Sequence, residues 1–76
     1  MFEEFIDENL IKTESFIKIH SKEVYERFLL FCKHNGFVMN ISNRSFYSQL
    51  EMLGIVKGEH GDRKYYWGWY LKKCKY

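Results

Sequence analysis

Phe2, Phe5, Ile6 and Leu10 recur at the three- and four-residue spacing of a helix face, and Glu3, Glu4, Asp7 and Glu8 take the opposite side. The pattern predicts a short first helix over Phe2–Leu10. Ser15–His20 is apolar (Phe16, Ile17, Ile19) but too brief for a helix, so it reads as a short strand. Ser21 is placed to cap a second helix over Lys22–His34. Glu23 complements the positive end of that helix, and Val24, Tyr25, Phe28, Leu29, Phe31 and Cys32 form its apolar stripe. Asn35-Gly36 stops it. After a connector over Phe37–Ile41, Ser42 caps a third helix, Asn43–Leu53, whose inward stripe is Phe46, Leu50 and Leu53 and whose stop is Gly54.

Beyond Gly54 the period changes. Ile55–Lys57 and Lys64–Lys72 are β-prone runs on either side of the polar stretch Gly58-Glu59-His60-Gly61-Asp62-Arg63, which predicts a hairpin with a charged loop. Alternation along Tyr65–Leu71 sets Trp67, Trp69 and Leu71 on one face and Tyr66, Gly68 and Tyr70 on the other. Trp69 and Leu71 are expected to face the core, leaving Tyr66 and Tyr70 as the rings free to stack on unpaired bases. The order helix, strand, helix, helix, strand, charged loop, strand is that of a winged helix-turn-helix: an α+β fold of three helices with a small antiparallel sheet, the early strand adding to the hairpin as a third.

Composition supports one folded domain over residues 1–76. The chain is 46% hydrophobic and 20% aromatic and has no proline, so it carries enough ring surface for a core and no linker-like stretch. Its 2 cysteines, Cys32 and Cys74, are too few for a disulfide framework, which points to a reducing cytoplasm. No apolar run approaches the ~20 residues that cross a bilayer, and the start lacks the basic flank of a signal peptide.

The net charge of +2 is small but uneven. Met1–Glu26 holds seven acidic against three basic residues, whereas from Arg27 onward there are nine basic against three acidic. If the later bases share a face, the domain has a basic side suited to nucleic acid. Other chemistries find no support. His20, Cys32, His34, His60 and Cys74 lack the paired spacing of a zinc site, so no metal or cofactor is expected. No nucleophile stands with a base, and Gly54–Gly58 lacks the spacing of a phosphate-binding loop, so no enzyme activity is expected either.

In a helix-turn-helix the second helix of the pair enters the major groove, here Asn43–Leu53. With Phe46, Leu50 and Leu53 inward, about 100° per residue turns Arg44, Ser48 and Glu51 outward, with Asn43 and Tyr47 at the flank. Arg donates two bonds to guanine or phosphate, and Ser, Asn and Tyr bond phosphates, so Asn43, Arg44, Tyr47 and Ser48 are candidate DNA contacts. Glu51 counts against them. Lys57, Arg63 and Lys64, with His60, cluster where a wing would meet the phosphate backbone. The basic tail Lys72, Lys73 and Lys75 reads as nonspecific attraction or a frayed end.

The run Val24-Tyr25-Glu26-Arg27-Phe28-Leu29-Leu30-Phe31-Cys32-Lys33-His34-Asn35-Gly36, followed by Ser42, Phe46, Leu50 and Gly54 and closing on Lys64–Leu71, resembles the C-terminal domain of phage- and plasmid-type primase-helicases of superfamily 3. The resemblance covers about Ser15–Lys73. It departs from the family at Tyr47, where glycine is frequent, and at Val56-Lys57-Gly58, which is less basic. It implies a DNA-binding winged helix serving replication of a bacteriophage or mobile element, at the C-terminal end of a larger protein whose primase and helicase motifs lie elsewhere. Two other readings stay open. One is an interaction module docking on a helicase ring or loader, and the other a free-standing phage transcription regulator, which would need a dimer and a palindromic site.

Overall fold

The computed structural model describes residues 1–38 and 40–76, so the expected connector over Phe37–Ile41 lies outside the described residues at Met39. Helix α1 is Phe2–Asn9, and the chain runs from it directly into strand β1, Leu10–Lys12. The first helix therefore stops one residue before the expected end. Leu10 is already extended because β1 pairs antiparallel with strand β5, Trp69–Leu71, in the register Leu10↔Leu71 and Lys12↔Trp69. β1 has no local signal, since Leu10 sits on a helical stripe, whereas β5 falls within the run already expected to be β and differs only in being separated from β4.

Strand β2, Lys18–His20, leads without a break into helix α2, Ser21–His34. Ser21 is not the cap. The extended residue before the helix is His20, whose Nδ1 accepts the Lys22 amide at 3.0 Å, and Ser21 is buried in the first turn. At the other end Phe37 N–H donates to the Cys32 carbonyl (2.9 Å) and Gly36 N–H to that of Lys33 (3.3 Å), the paired bonds of a Schellman motif.

Helix α3, Asn43–Met52, is capped by Ser42, whose hydroxyl accepts the Ser45 amide, and it ends in the same way. Gly54 has φ +86°, and Ile55 N–H donates to the Leu50 carbonyl at 2.9 Å. This turn explains why the stripe does not continue to Leu53. Leu53 is the last, half-in residue and is 44% exposed, while Ile55, folded back by the motif, is buried at 4%. Leu29, the other residue expected inside, lies at the edge of α2 and is 43% exposed.

The hairpin differs more. Strand β3 is Gly58–His60 and strand β4 is Arg63–Trp67, so the stretch expected to be loop is itself the ladder. Ile55–Lys57 is not a strand. Only Gly61-Asp62 remains as the turn, with Gly61 at positive φ in the first central position, as a type II′ turn requires. The inner sheet is β2-β4-β3 and antiparallel, as expected for an early strand joining the hairpin, while β1-β5 forms a second, two-stranded sheet.

Gly68 separates β4 from β5 and resets the alternation. It is in the left-handed region (φ +79°), accepts from Thr13 N–H (2.8 Å) and donates to the Ile17 carbonyl (2.6 Å). Tyr66 therefore points inward and is 1% exposed, with Trp67 on the opposite face. After the reset Trp69 and Leu71 pack against the core and Tyr70 is exposed. The expectations for Trp69, Leu71 and Tyr70 stand; those for Tyr66 and Trp67 exchange. A Cβ at Gly68 would meet nothing closer than 3.6 Å, so Gly68→Ala carries backbone strain alone, about 1–2 kcal/mol. In urea titrations Gly68→Asn should cost less than Gly68→Ala, because asparagine tolerates this conformation.

The core lies between the helices and the inner sheet. Phe5, Val24, Phe28, Phe31, Phe46, Leu50 and Tyr66 are all below 2% exposed. Phe46 is the hub: its ring stacks on Phe28 at 4.6 Å and meets Phe5 and Tyr25 at 5.8 and 5.5 Å. The tail is not frayed. Lys72 N–H donates to the Asn9 carbonyl (2.7 Å), its Nζ to the Asp7 carbonyl (2.6 Å), and Lys75 reaches Glu8 at 3.6 Å. Arg27 donates to the Lys72 carbonyl at 2.8 Å, and buried Asn9 donates to the Tyr76 hydroxyl at 2.8 Å. These bases serve the closure of the chain ends on α1, so the basic second half does not form a single face. Among the described residues no helix is long and apolar enough to cross a membrane.

Candidate nucleic-acid interface

Because α3 buries Phe46 and Leu50, its opposite side presents Asn43, Arg44, Ser48 and Glu51 to solvent, with Tyr47 half-buried at the edge. Tyr47 is held by rings on three sides: Phe46 at 5.6 Å, Tyr25 at 6.1 Å and Tyr66 at 6.4 Å. Lys57, at the entrance to β3, lays its ammonium 3.8 Å from the centroid of the Tyr47 ring. Asn43, Arg44, Tyr47, Ser48, Glu51 and Lys57 thus line one open depression of about 340 Å³ between α3 and the hairpin.

Burial pushes the Lys57 ammonium below the ordinary lysine value, the Lys64 charge reinforces the shift, and Glu51 opposes it. Lys64 therefore belongs to the same neighbourhood. The register agrees: Lys64 is two residues from inward Tyr66 and opposite Glu59, on the face of the sheet turned toward α3. Five of the seven residues singled out by sequence (Asn43, Arg44, Tyr47, Ser48 and Lys57) line this depression, and Lys64 lies on the same face of the hairpin, near enough for its charge to act on Lys57. Arg63 does not, because the pleat of β4 turns it to the reverse face, opposite His60.

Among the described residues, no ion pair engages Arg44, Lys57 or Lys64; those present are Met1–Glu4 and Lys75–Glu8. Three cations stand together against Glu51 and Glu59, so the depression is moderately basic. That balance suits an anion of low charge density or several spaced phosphates better than a single tightly held ion. Among the described residues no three His, Cys, Asp or Glu side chains gather as a metal site, and Cys32 and Cys74 are both free.

Under the depression lies an energetic oddity. The Tyr66 hydroxyl is buried and has no hydrogen-bond partner among the described residues. Burial, then the neighbouring Tyr47 and Glu51, push its pKa well above the ordinary tyrosine value of 10.0. The neutral form is thus favoured in the fold. Its contribution is fully present below pH 10.0, and stability falls as pH rises further, because the unfolded chain loses that proton first. Tyr66→Phe should raise stability at neutral pH by about 1 kcal/mol and flatten the alkaline decline, as read by urea titration at both pH values. An unchanged alkaline slope would assign the decline to other groups.

Sequence reasoning missed the reverse face of the inner sheet, where Lys18, His20, Tyr65 and Trp67 join Arg63 and His60. The available signal was Gly68, since a glycine inside a β run marks a bend or bulge and thus a change of facing. No family model matches the chain, nor does any curated protein or solved structure match it significantly.

Proposed function

We propose that the chain is a winged-helix module that binds duplex DNA, with α3 as the helix laid in the major groove and the β3–β4 hairpin as its wing. One observation supports the reading: the polar side of α3 and Lys57, at the entrance to the hairpin, line one depression, with Lys64 close enough to act on Lys57, although these parts lie apart in sequence. Arg44 and Ser48, with Asn43, are aimed at base edges and adjoining phosphates. Lys57 and Lys64 meet the backbone beside them. Tyr47 is the platform that holds the Lys57 ammonium in place. A role in replication of a phage or mobile element, as part of a primase-helicase, rests on the residue pattern resembling that family.

The test is fluorescence anisotropy of a labelled duplex against the chain at two salt concentrations. Binding should weaken with salt, and Arg44→Glu should weaken it at least tenfold. An Arg44→Glu protein that binds as well as the parent removes α3 from the contact.

A second reading, a protein-docking module, is favoured by one feature. Met1, Phe2, Glu3, Gln49, Met52 and Leu53 line a groove between α1 and α3, where Met52 is 79% exposed. Sedimentation showing self-association that Met52→Lys abolishes, without any DNA binding at low salt, would favour this reading.

A further inference from the structure

The reverse face of the inner sheet has no part in the reading above, and its composition is unlike that of an ordinary solvated face. The registers Lys18↔Trp67, His20↔Tyr65, Gly58↔Tyr65 and His60↔Arg63 place Lys18, His20, Tyr65, Trp67, His60 and Arg63 together on it. None of these residues is acidic; Glu59 belongs to the other face. The rings form a connected cluster: His20 lies 5.2 Å from Tyr65, and His60 lies 6.0 Å from Tyr65 and 5.8 Å from Trp67.

Tyr65 and Trp67 are only half-buried. The Lys18 ammonium lies across both rings, 5.1 and 5.2 Å from their centroids. A flexible lysine covers these ring surfaces and is free to move aside. Gly58 is part of the same construction, because a Cβ there would come within 2.7 Å of Trp67 Cδ1. The missing side chain lets the indole lie down on β3. It is backed by β3 and covered on the solvent side by the Lys18 side chain.

We propose that this face binds single-stranded DNA, with Trp67 and Tyr65 stacking on two unpaired bases and Lys18 and Arg63 meeting the phosphates. Residues two apart on a strand are separated by about 7 Å, a spacing that suits successive bases splayed out of a strand. Stacking needs ring faces and tolerates any base, and a row of cations without acids draws the backbone. A duplex offers no base faces, so the occupant is an unpaired strand. The inference stands apart from the duplex site, since the two occupy opposite faces of one hairpin. Together they would place β3–β4 between duplex and single strand at a junction.

The experiment titrates the chain carrying Trp69→Phe, in which Trp67 alone reports, with oligothymidylate, which does not pair with itself. Saturable quenching of Trp67 that weakens with salt is the expected result. Lys18→Glu, which leaves the core untouched, should weaken this binding several-fold, and Trp67→Ala, followed instead by anisotropy of labelled oligothymidylate because it removes the reporter, about tenfold or more. Arg44→Glu should leave it unchanged while impairing duplex binding. Absence of quenching at low salt overturns the proposal, as does equal loss of oligothymidylate binding in Arg44→Glu and Lys18→Glu. Tighter binding of oligouridylate would overturn the assignment to DNA. Quenching that persists where duplex binding fails sinks the duplex reading and leaves this one standing.

Discussion

Phe46→Ala should bring the domain close to unfolding at room temperature. Removing a fully buried phenylalanine costs about 3–5 kcal/mol, from lost burial and from the cavity left where neighbours cannot collapse. Here the neighbours are Phe28, Phe5, Tyr25 and Tyr47, stiff rings spread over all three helices that cannot close the gap by rotamer changes alone. A domain of this length has a total stability of about 4–11 kcal/mol, so one substitution removes much of it. The melting temperature should fall by at least about 12 °C, followed by circular dichroism. Leu29→Ala is the control. It changes a residue on the predicted stripe of α2 that is 43% exposed, so it should cost less than about 1 kcal/mol. Equal costs at the two positions would mean that the core is not centred on Phe46.

The second large effect concerns salt. If Lys57 and Lys64 each neutralise a phosphate, each contributes about one unit to the slope of log affinity against log salt. The double variant Lys57→Gln, Lys64→Gln should therefore bind duplex more weakly at low salt and lower the slope by about two. Its affinity should approach that of the parent as salt rises. Arg44→Gln predicts a different signature: a loss that depends on base sequence, since a bidentate contact to guanine is worth about 1–3 kcal/mol. A double variant with an unchanged slope would place the phosphate contacts elsewhere on the molecule, Arg63 being the nearest remaining cation of the hairpin.

The candidate site was legible because both of its parts depend on local pattern. Once Phe46 and Leu50 are seen to face inward, helix geometry alone turns Arg44 and Ser48 outward. Lys57 and Lys64 flank the one polar stretch between two apolar runs. What was not legible was the pleat of the hairpin. Lys64 and Arg63 are adjacent in sequence and look interchangeable, yet a strand sends neighbours to opposite faces, and which face receives which depends on Tyr66. Tyr66 looked like a surface ring because alternation was carried straight through Gly68.

The sequence by itself determined the three helices, most of their inward stripes (Leu29 and Leu53 excepted), both glycine stops, the Ser42 cap and the antiparallel joining of the early strand to the hairpin. These follow from spacings of three and four residues and from caps and turns that act within a few residues of chain. Tertiary structure decided the rest. Leu10–Lys12 leaves the helical pattern for β1 because Trp69–Leu71 lies alongside to complete its ladder. Gly58–His60 becomes a strand because Arg63–Tyr65 folds back on it. Arg27, Lys72 and Lys75, read as part of a basic half, are taken up in fastening the chain end to α1. A strand gains its hydrogen bonds only from a partner, and a surface charge acquires its role only from what the fold sets beside it, so neither could be read from local pattern.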